Sequence, residues 1–355
     1  MAWREPVVQA VLERSPASFW DYAAIIRPAS AVKHLLVVPG IALAAILRPG
    51  AKSISAHGVA LTFLSVFCAA SANYVINEWL DRDFDRYHPD KSGRPCVTTR
   101  MSAWAVYAEC GALGAAALLS GAMVSGLTAA CAAAMLINGM LYNVPPLRLK
   151  QVAFADVLCE SLSNPIRLVY GWAVIDPATL PPGSVILAYW MGGAFLMSVK
   201  RLAEHREFAA AGEIGLLRLY RGSFRFYSDR SLILSAFAYA QFTTFAMAVF
   251  IVKYRIEYLL AAPLICLLFC LYLYLGLEAN PAAERAGYLL RERLLLGVVA
   301  AIVVALSILT FADVPAITSL VNAHYIALPA WLHPDGRDAG ATPMRGRASG
   351  IGSPR

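Results

Sequence analysis

Charge is scarce in this chain: 15% of its 355 residues are Asp, Glu, Lys or Arg, 59% are apolar, and the mean hydropathy is +0.59. Ordinary globular domains carry about 25% charged residues, so that class is excluded and a polytopic membrane protein is read instead. The seven cysteines form no Cys-x-x-Cys pair and mostly lie in apolar runs, which leaves reduced, packed thiols as their expected state. No cleavable leader is read, because the first apolar run follows a mixed, charged stretch. No internal half-repeat of the kind common in transporters is visible either. The net charge of +7 does not argue for nucleic acid, since the bases sit in short segments between apolar runs. No nucleic-acid partner is expected.

Nine apolar segments are present, at about 30–47, 56–79, 102–121, 125–142, 152–174, 184–203, 231–252, 256–277 and 293–312. Each is near the roughly twenty residues that a bilayer requires. The expected fold class is all-α integral membrane: a nine-transmembrane-helix bundle over residues 29–312 with a cytosolic cap of loops. An amphipathic cytosolic lead-in covers residues 1–28, and residues 313–355 form a C-terminal segment expected to be disordered after about 335. With the N-terminus inside, 21 of the 30 Lys and Arg fall on the cytosolic side and 8 on the other, with Arg167 inside a span. That bias orients a multi-pass protein of the cell inner (plasma) membrane with its polar face toward the cytosol.

The polar stretch that organises the chain runs from Asn77 to Pro95, NEWLDRDFDRYHPDKSGRP. If the second span stays helical into it, Asn77, Asp81 and Asp85 stack on one face at intervals of four. Carboxylates one turn apart repel, and a divalent cation relieves the repulsion; Mg²⁺ takes one or two carboxylates and leaves its other sites to water and substrate phosphate. Arg82, Arg86, Lys91 and Arg94 are interleaved with these acids and suit a diphosphate. The alternative is a solvated, charge-mixed helix end.

Two further constellations fall on the same side. Along the fifth span, Asp156, Glu160, Ser163 or Asn164, and Arg167 recur at helical spacing, and ionisable groups at membrane depth face a cavity or a partner. A Glu160–Arg167 pair is one reading, and a second metal or phosphate site facing the first is the other. The loop before it, YNVPPLRLKQ, presents Arg148 and Lys150. The sixth span ends with Lys200, Arg201 and Glu204, and a basic, aromatic segment with Arg221 and Arg225 follows. Together these form a cap that is acidic toward metal and basic toward phosphate, so an anionic substrate is expected.

The NExxDxxxD stretch, the YNVPPLRLK loop with Asp156 after it, and the nine spans resemble the UbiA superfamily of intramembrane prenyltransferases over about residues 20–312. The resemblance implies two Asp-rich motifs that bind Mg²⁺ and a donor diphosphate at the cytosolic mouth of a helix bundle. By it, Asn77, Asp81, Asp85 and Asp156 are metal-site residues, and Asp81, Asp85, Asp156 and Lys200 are catalytic. The substrate-binding set comprises Asn77, Arg94, Arg148, Lys150, Glu160, Asn164, Arg167, Arg201, Glu204, Arg221 and Arg225. The second motif, Asp156 with Glu160, departs from the usual DxxxD.

RPASAVKHLLVVP, SNPIRLVYGW and VKRLAEHRE resemble the polyprenyl-phosphate phosphoribosyltransferase branch, whereas PPLRLK is more similar to ordinary prenyltransferases. The implied partners are a membrane lipid substrate, either a polyprenyl phosphate or a prenyl diphosphate, and a soluble phosphorylated co-substrate. An oligomer stays open. A transporter remains the non-enzymatic alternative.

Overall fold

The computed structural model describes residues 14–51, 55–278 and 292–317. The chain enters through helix α1 (Phe19–Ile25) and a 3-10 stretch (Pro28–Val37) that runs straight into α2 (Val38–Leu47). α3 (Ala56–Asp85) starts at an N-cap Ser55 whose hydroxyl accepts from the Gly58 amide. At about 1.5 Å of rise per residue, its 30 residues make a rod roughly 45 Å long, against a hydrocarbon core of about 30 Å. The excess length lifts Asn77, Asp81 and Asp85 out of the apolar layer.

A tight hairpin joins α4 (Ala103–Val124) to α5 (Gly126–Asn143): Ser125 closes the first helix and its hydroxyl accepts from the Thr128 amide to open the second. The polypeptide then forms α6 (Ala155–Ser161), α7 (Ser163–Ile175), the 28-residue α8 (Gly183–Ala210), the short α9 (Ile214–Tyr220), α10 (Asp229–Tyr254), α11 (Ala262–Leu277) and α12 (Arg293–Phe311). Like α3, α8 outruns the bilayer, and it carries Lys200, Arg201 and Glu204 within its last three turns. A two-residue parallel pairing of Ser15–Pro16 with Thr99–Arg100 ties the lead-in to the segment after α3.

Seven of the described helical stretches are long and apolar enough to cross a membrane, rather than the nine expected. The fourth expected span is α5, 18 residues long and diluted by the buried polar residues Thr128, Asn138 and Asn143. The fifth is broken into α6 and α7 at Leu162. Pro165 has no amide hydrogen to give to the Ser161 carbonyl, and its ring crowds that carbonyl, so one continuous helix cannot form there. The disorder expected after about 335 lies outside the described residues.

One apolar core joins α3, α4, α5 and α7, with Val66, Ala69, Ala117, Ala132, Met135 and Tyr170 at its centre. A second unites α8, α10, α11 and α12 around Phe195, Val199, Ala236, Tyr272 and Leu295. Over one end lies a cap with its own core of Phe208, Leu217, Tyr220, Phe224 and Tyr227, packed against Phe84 at the foot of α3. Within the first half, α2 crosses α7 in direct backbone contact. A Cβ on Gly171 would lie 2.0 Å from the Val37 carbonyl oxygen, and one on Gly40 2.0 Å from that of Leu168, so the two backbones touch with no room for a side chain. Gly171→Ala is therefore expected to lower the stability of the detergent-purified protein by about 1 to 3 kcal/mol, read as a lower thermal midpoint. An unchanged midpoint would mean that α2 and α7 are not held in this contact.

Candidate active site

Helical geometry alone sets the first wall of the site. Asn77, Asp81 and Asp85 follow one another down the last turns of α3, as their spacing requires. Asn77 donates to Asp81 at 3.2 Å and to the side-chain oxygen of Asn143 on α5. Asp81 is ion-paired to Arg148 at 2.7 Å and to Lys150 at 2.6 Å. The αL backbone of Arg148 (φ 33) turns the loop back so that both bases reach it. Lys150 is 1% exposed and also donates to Asn143 at 2.9 Å. Asp85 is fully buried against Arg94, and its Oδ1 has no hydrogen-bond partner.

The opposite wall is built around Arg201. Its guanidinium meets Asp156 at 3.2 Å, Glu160 at 2.7 Å and Glu204 at 3.3 Å. Asp156 is completely buried, and its oxygens also accept from Ser223 and Tyr227. The Tyr142 hydroxyl donates to Glu160 at 2.8 Å and itself accepts from Arg221. Arg167 bonds to Ser163 rather than to Glu160, so the Glu160–Arg167 pair is not made.

Between these walls lies a cavity of about 450 Å³. Its lining carries eight cationic side chains (Arg27, Lys33, Lys91, Arg94, Arg167, Lys200, Arg201 and Arg221) against two carboxylates, Asp81 and Glu160. Arg27, Lys91, Arg94 and Arg201 are balanced by Glu78, Asp85, Asp156, Glu160 and Glu204 at or behind the wall, and the remaining four, Lys33, Arg167, Lys200 and Arg221, leave an excess that suits a ligand carrying several phosphates. Lys200 has neither a hydrogen bond nor an ion pair among the described residues. Lys91, in the cap, lies over the Tyr220 ring at 4.1 Å and 3.9 Å from Glu204.

Burial pulls the Lys91 ammonium down from its ordinary 10.5 to about 8, against the opposing pull of Glu204. Lys91 is thus charged below about pH 8 and neutral above it, so its contribution to anion binding is present at pH 7 and lost by pH 9.5. We expect pyrophosphate affinity to fall about tenfold over that interval, one charge-assisted contact being worth roughly 1.5 kcal/mol. Above pH 8, binding should take up a proton, because the anion restores the charged form. Calorimetry in buffers of different ionisation enthalpy reads both, and Lys91→Met should make the profile shallower. A slope undiminished in Lys91→Met would assign the effect to the other buried lysines of the site.

Of the residues singled out in the sequence, Asn77, Asp81, Arg94, Glu160, Asn164, Arg167, Lys200, Arg201 and Arg221 line one cavity. Asp85, Arg148, Lys150 and Glu204 stand behind its wall as ion-pair partners. Two expectations are not met. Asp156 does not face the first motif across an open space: its oxygens are already held by Arg201, Ser223 and Tyr227. Arg225 is exposed and does not line the cavity.

Lys91, read in the sequence as a diphosphate-side base, lines the cavity too, and Arg27, Lys33, Tyr142, Asn143 and Tyr220 line it without having been among the candidates. For Tyr142 and Asn143 the signal was present in the YNVPP run, since both close α5 just before its prolines. No group of three or more His, Cys, Asp or Glu side chains is poised to cage a metal among the described residues. The orphaned Oδ1 of Asp85, one turn from a cavity-lining Asp81, nonetheless fits a cation that takes most of its ligands from water and phosphate.

The UbiA prenyltransferase family matches residues 36–291. The decaprenyl-phosphate phosphoribosyltransferase of Mycolicibacterium smegmatis is 30% identical over 182 residues, 50% of this chain and 55% of that protein. The lycopene elongase/hydratase of Haloarcula japonica is 31% identical over 121 residues, 33% of this chain and 39% of that protein. The chain spans about half the length of the curated relatives it matches. Among solved structures, a UbiA homolog from Archaeoglobus fulgidus bound to DMAPP and Mg²⁺ shares the fold with a TM-score of 0.58 and 21% identity, covering 74% of this chain and 99% of the other. With a family match that takes in well over half of the sequence and a helix bundle of the same fold, this membrane protein belongs to the UbiA prenyltransferase family.

Proposed function

We propose that the protein is a Mg²⁺-dependent membrane transferase that moves 5-phosphoribose from phosphoribosyl diphosphate to a polyprenyl phosphate and releases diphosphate. The observation that carries this reading is the cavity lining, eight cations against two carboxylates. A donor with three phosphoryl groups and an acceptor with a fourth answer that excess better than a prenyl diphosphate alone. The similarity to the decaprenyl-phosphate phosphoribosyltransferase supports the same choice. The catalytic face lies toward the cytosol of the inner membrane, as the Lys and Arg bias suggests.

Asp81 and Asp85, with Asn77 assisting, would hold Mg²⁺, which when bound supplies neutralisation of the charge that builds on the departing diphosphate. Lys91 and Arg94 hold the diphosphate oxygens from the cap side, and Lys200 meets them from α8. Arg148 and Lys150 fix the Asp81 carboxylate, and Asn143 orients both Asn77 and Lys150. As the bond from ribose C1 to the diphosphate oxygen breaks, its electron pair leaves with the diphosphate and C1 gains cationic character. An oxygen of the lipid phosphate, already an anion, forms the new bond. No strong general base is needed.

A prenyl transfer is the second reading, favoured by the apolar part of the lining, Leu36, Ala70, Met135, Leu196 and Met197. In that case the cation forms on an allylic chain, and an aromatic carbon or a lipid hydroxyl attacks. Purified protein given polyprenyl phosphate with phosphoribosyl diphosphate, or a prenyl diphosphate with 4-hydroxybenzoate, separates the two when the products are weighed by mass spectrometry. A phosphoribosylated lipid is expected. A prenylated aromatic product would establish the second reading, and uptake into liposomes with no diphosphate released would sink both in favour of transport.

A further inference from the structure

Arg167 lies on α7 at 5% exposure and meets no carboxylate among the described residues. Its Nη1 donates to the Ser163 carbonyl at 3.1 Å and to the Ser163 hydroxyl at 2.8 Å, while Nε is buried without a hydrogen-bond partner. Those bonds hold the guanidinium beside Ser163, in the first turn of α7 and past the break at Leu162 that separates it from Glu160 on α6. Asn164, beside it, abuts Gly193, where an added Cβ would lie 2.2 Å from the Asn164 amide. Gly193 stands seven residues before Lys200 on α8, about 10 Å along the axis. From the 3-10 stretch before α2, Lys33 reaches the same cavity; its ammonium lies 5.8 Å over the ring of Tyr74, seven residues and about 10 Å from Asp81 along α3, and makes no ion pair among the described residues. An uncompensated guanidinium at this depth is expensive unless an anion arrives to meet it.

We infer that Arg167, with Lys33 and Asn164, forms a phosphomonoester subsite at the deep end of the cavity, separate from the diphosphate site at Asp81, Lys91 and Arg94. It deepens the phosphoribosyl reading and rests on it for the identity of the anion. A prenyl diphosphate has no phosphomonoester apart from its diphosphate, and its hydrocarbon chain would strip water from Arg167 and give nothing back. The donor brings a 5-phosphate and the lipid acceptor brings its own phosphate; both are phosphomonoesters, and either meets the need.

The test titrates three probes into the purified full chain: Mg²⁺ with inorganic pyrophosphate, ribose 5-phosphate, and a short-chain polyprenyl phosphate. Arg167→Gln should weaken one of the two monoesters at least tenfold and leave pyrophosphate within about twofold. Loss confined to ribose 5-phosphate assigns the subsite to the donor, and loss confined to the lipid phosphate assigns it to the acceptor. Arg167→Lys should recover part of the binding, which a packing role would not. If Arg167→Gln does not fold, Lys33→Gln, on an exposed side chain, carries the same comparison with a smaller loss.

Equal weakening of all three probes, or of none, overturns the subsite. Should the wild-type protein make no phosphoribosyl lipid while Arg167→Gln still loses a monoester, the subsite stands and the reaction falls. Should it make that lipid with Arg167→Gln indifferent to both monoesters, the subsite falls and the reaction stands.

Discussion

Asp81→Asn is expected to lower formation of the lipid product by roughly a thousandfold, the scale on which removing one pre-oriented electrostatic group acts on a transition state. Two roles converge on this carboxylate. It lines the cavity one turn above Asp85, whose Oδ1 lacks a hydrogen-bond partner among the described residues, and it neutralises the half-buried Arg148 and the buried Lys150. Ala would confuse the two, because it strands both bases, and an uncompensated buried charge unfolds proteins. Asn keeps an acceptor for Arg148 and Lys150 while removing the charge, so it costs less stability than Ala. If Asp81 is a metal ligand, Asp81→Asn should also raise the Mg²⁺ concentration for half-maximal activity, beside the drop in thermal midpoint that the lost ion pairs cause. If it serves only to balance Arg148 and Lys150, the midpoint should fall and the Mg²⁺ dependence should stay where it was. Near-normal turnover with an unchanged Mg²⁺ response would remove Asp81 from the metal site altogether.

The first wall of this site was legible because it is local. Four-residue spacing puts Asn77, Asp81 and Asp85 on one face whatever the rest of the chain does, and α3 delivers them so. The break between α6 and α7 was legible in principle, since Pro165 stands in the middle of an apolar run. An even apolar stretch looks like one span, though, unless the missing amide is given full weight. The role of Asp156 was not legible. Its spacing from Glu160 says that both lie on one helical face, but not that Arg201, Ser223 and Tyr227, from three later segments, already hold its oxygens. The same limit hid Tyr220 and its pairing with Lys91: the cap core of Phe208, Leu217 and Phe224 brings α9 and the segment after α3 together over the cavity, a tertiary fact with no local trace.

Arg201 is the residue on which the second wall depends, and Arg201→Met should destabilise the protein by roughly 3 to 5 kcal/mol, the cost of breaking a buried ion pair by deleting one partner. Three carboxylates share its guanidinium, at 3.2 Å (Asp156), 2.7 Å (Glu160) and 3.3 Å (Glu204), and all four side chains are packed between α6 and α8. Without it the acids face one another with only Tyr142, Tyr227, Ser223 and the His88–Lys91 side of the cap to hold them. Arg201→Lys should fall between, because a point charge on a flexible stem cannot fork to three acceptors. Adding Glu160→Gln to Arg201→Met should return part of the loss, since it removes one stranded charge. That coupling, read from thermal unfolding of the four proteins of the cycle, separates an ion-pair effect from lost packing. Were Arg201→Met to keep the full midpoint while activity vanished, the guanidinium would belong to the bound phosphates, and the three acids would have to be neutralised by the cap.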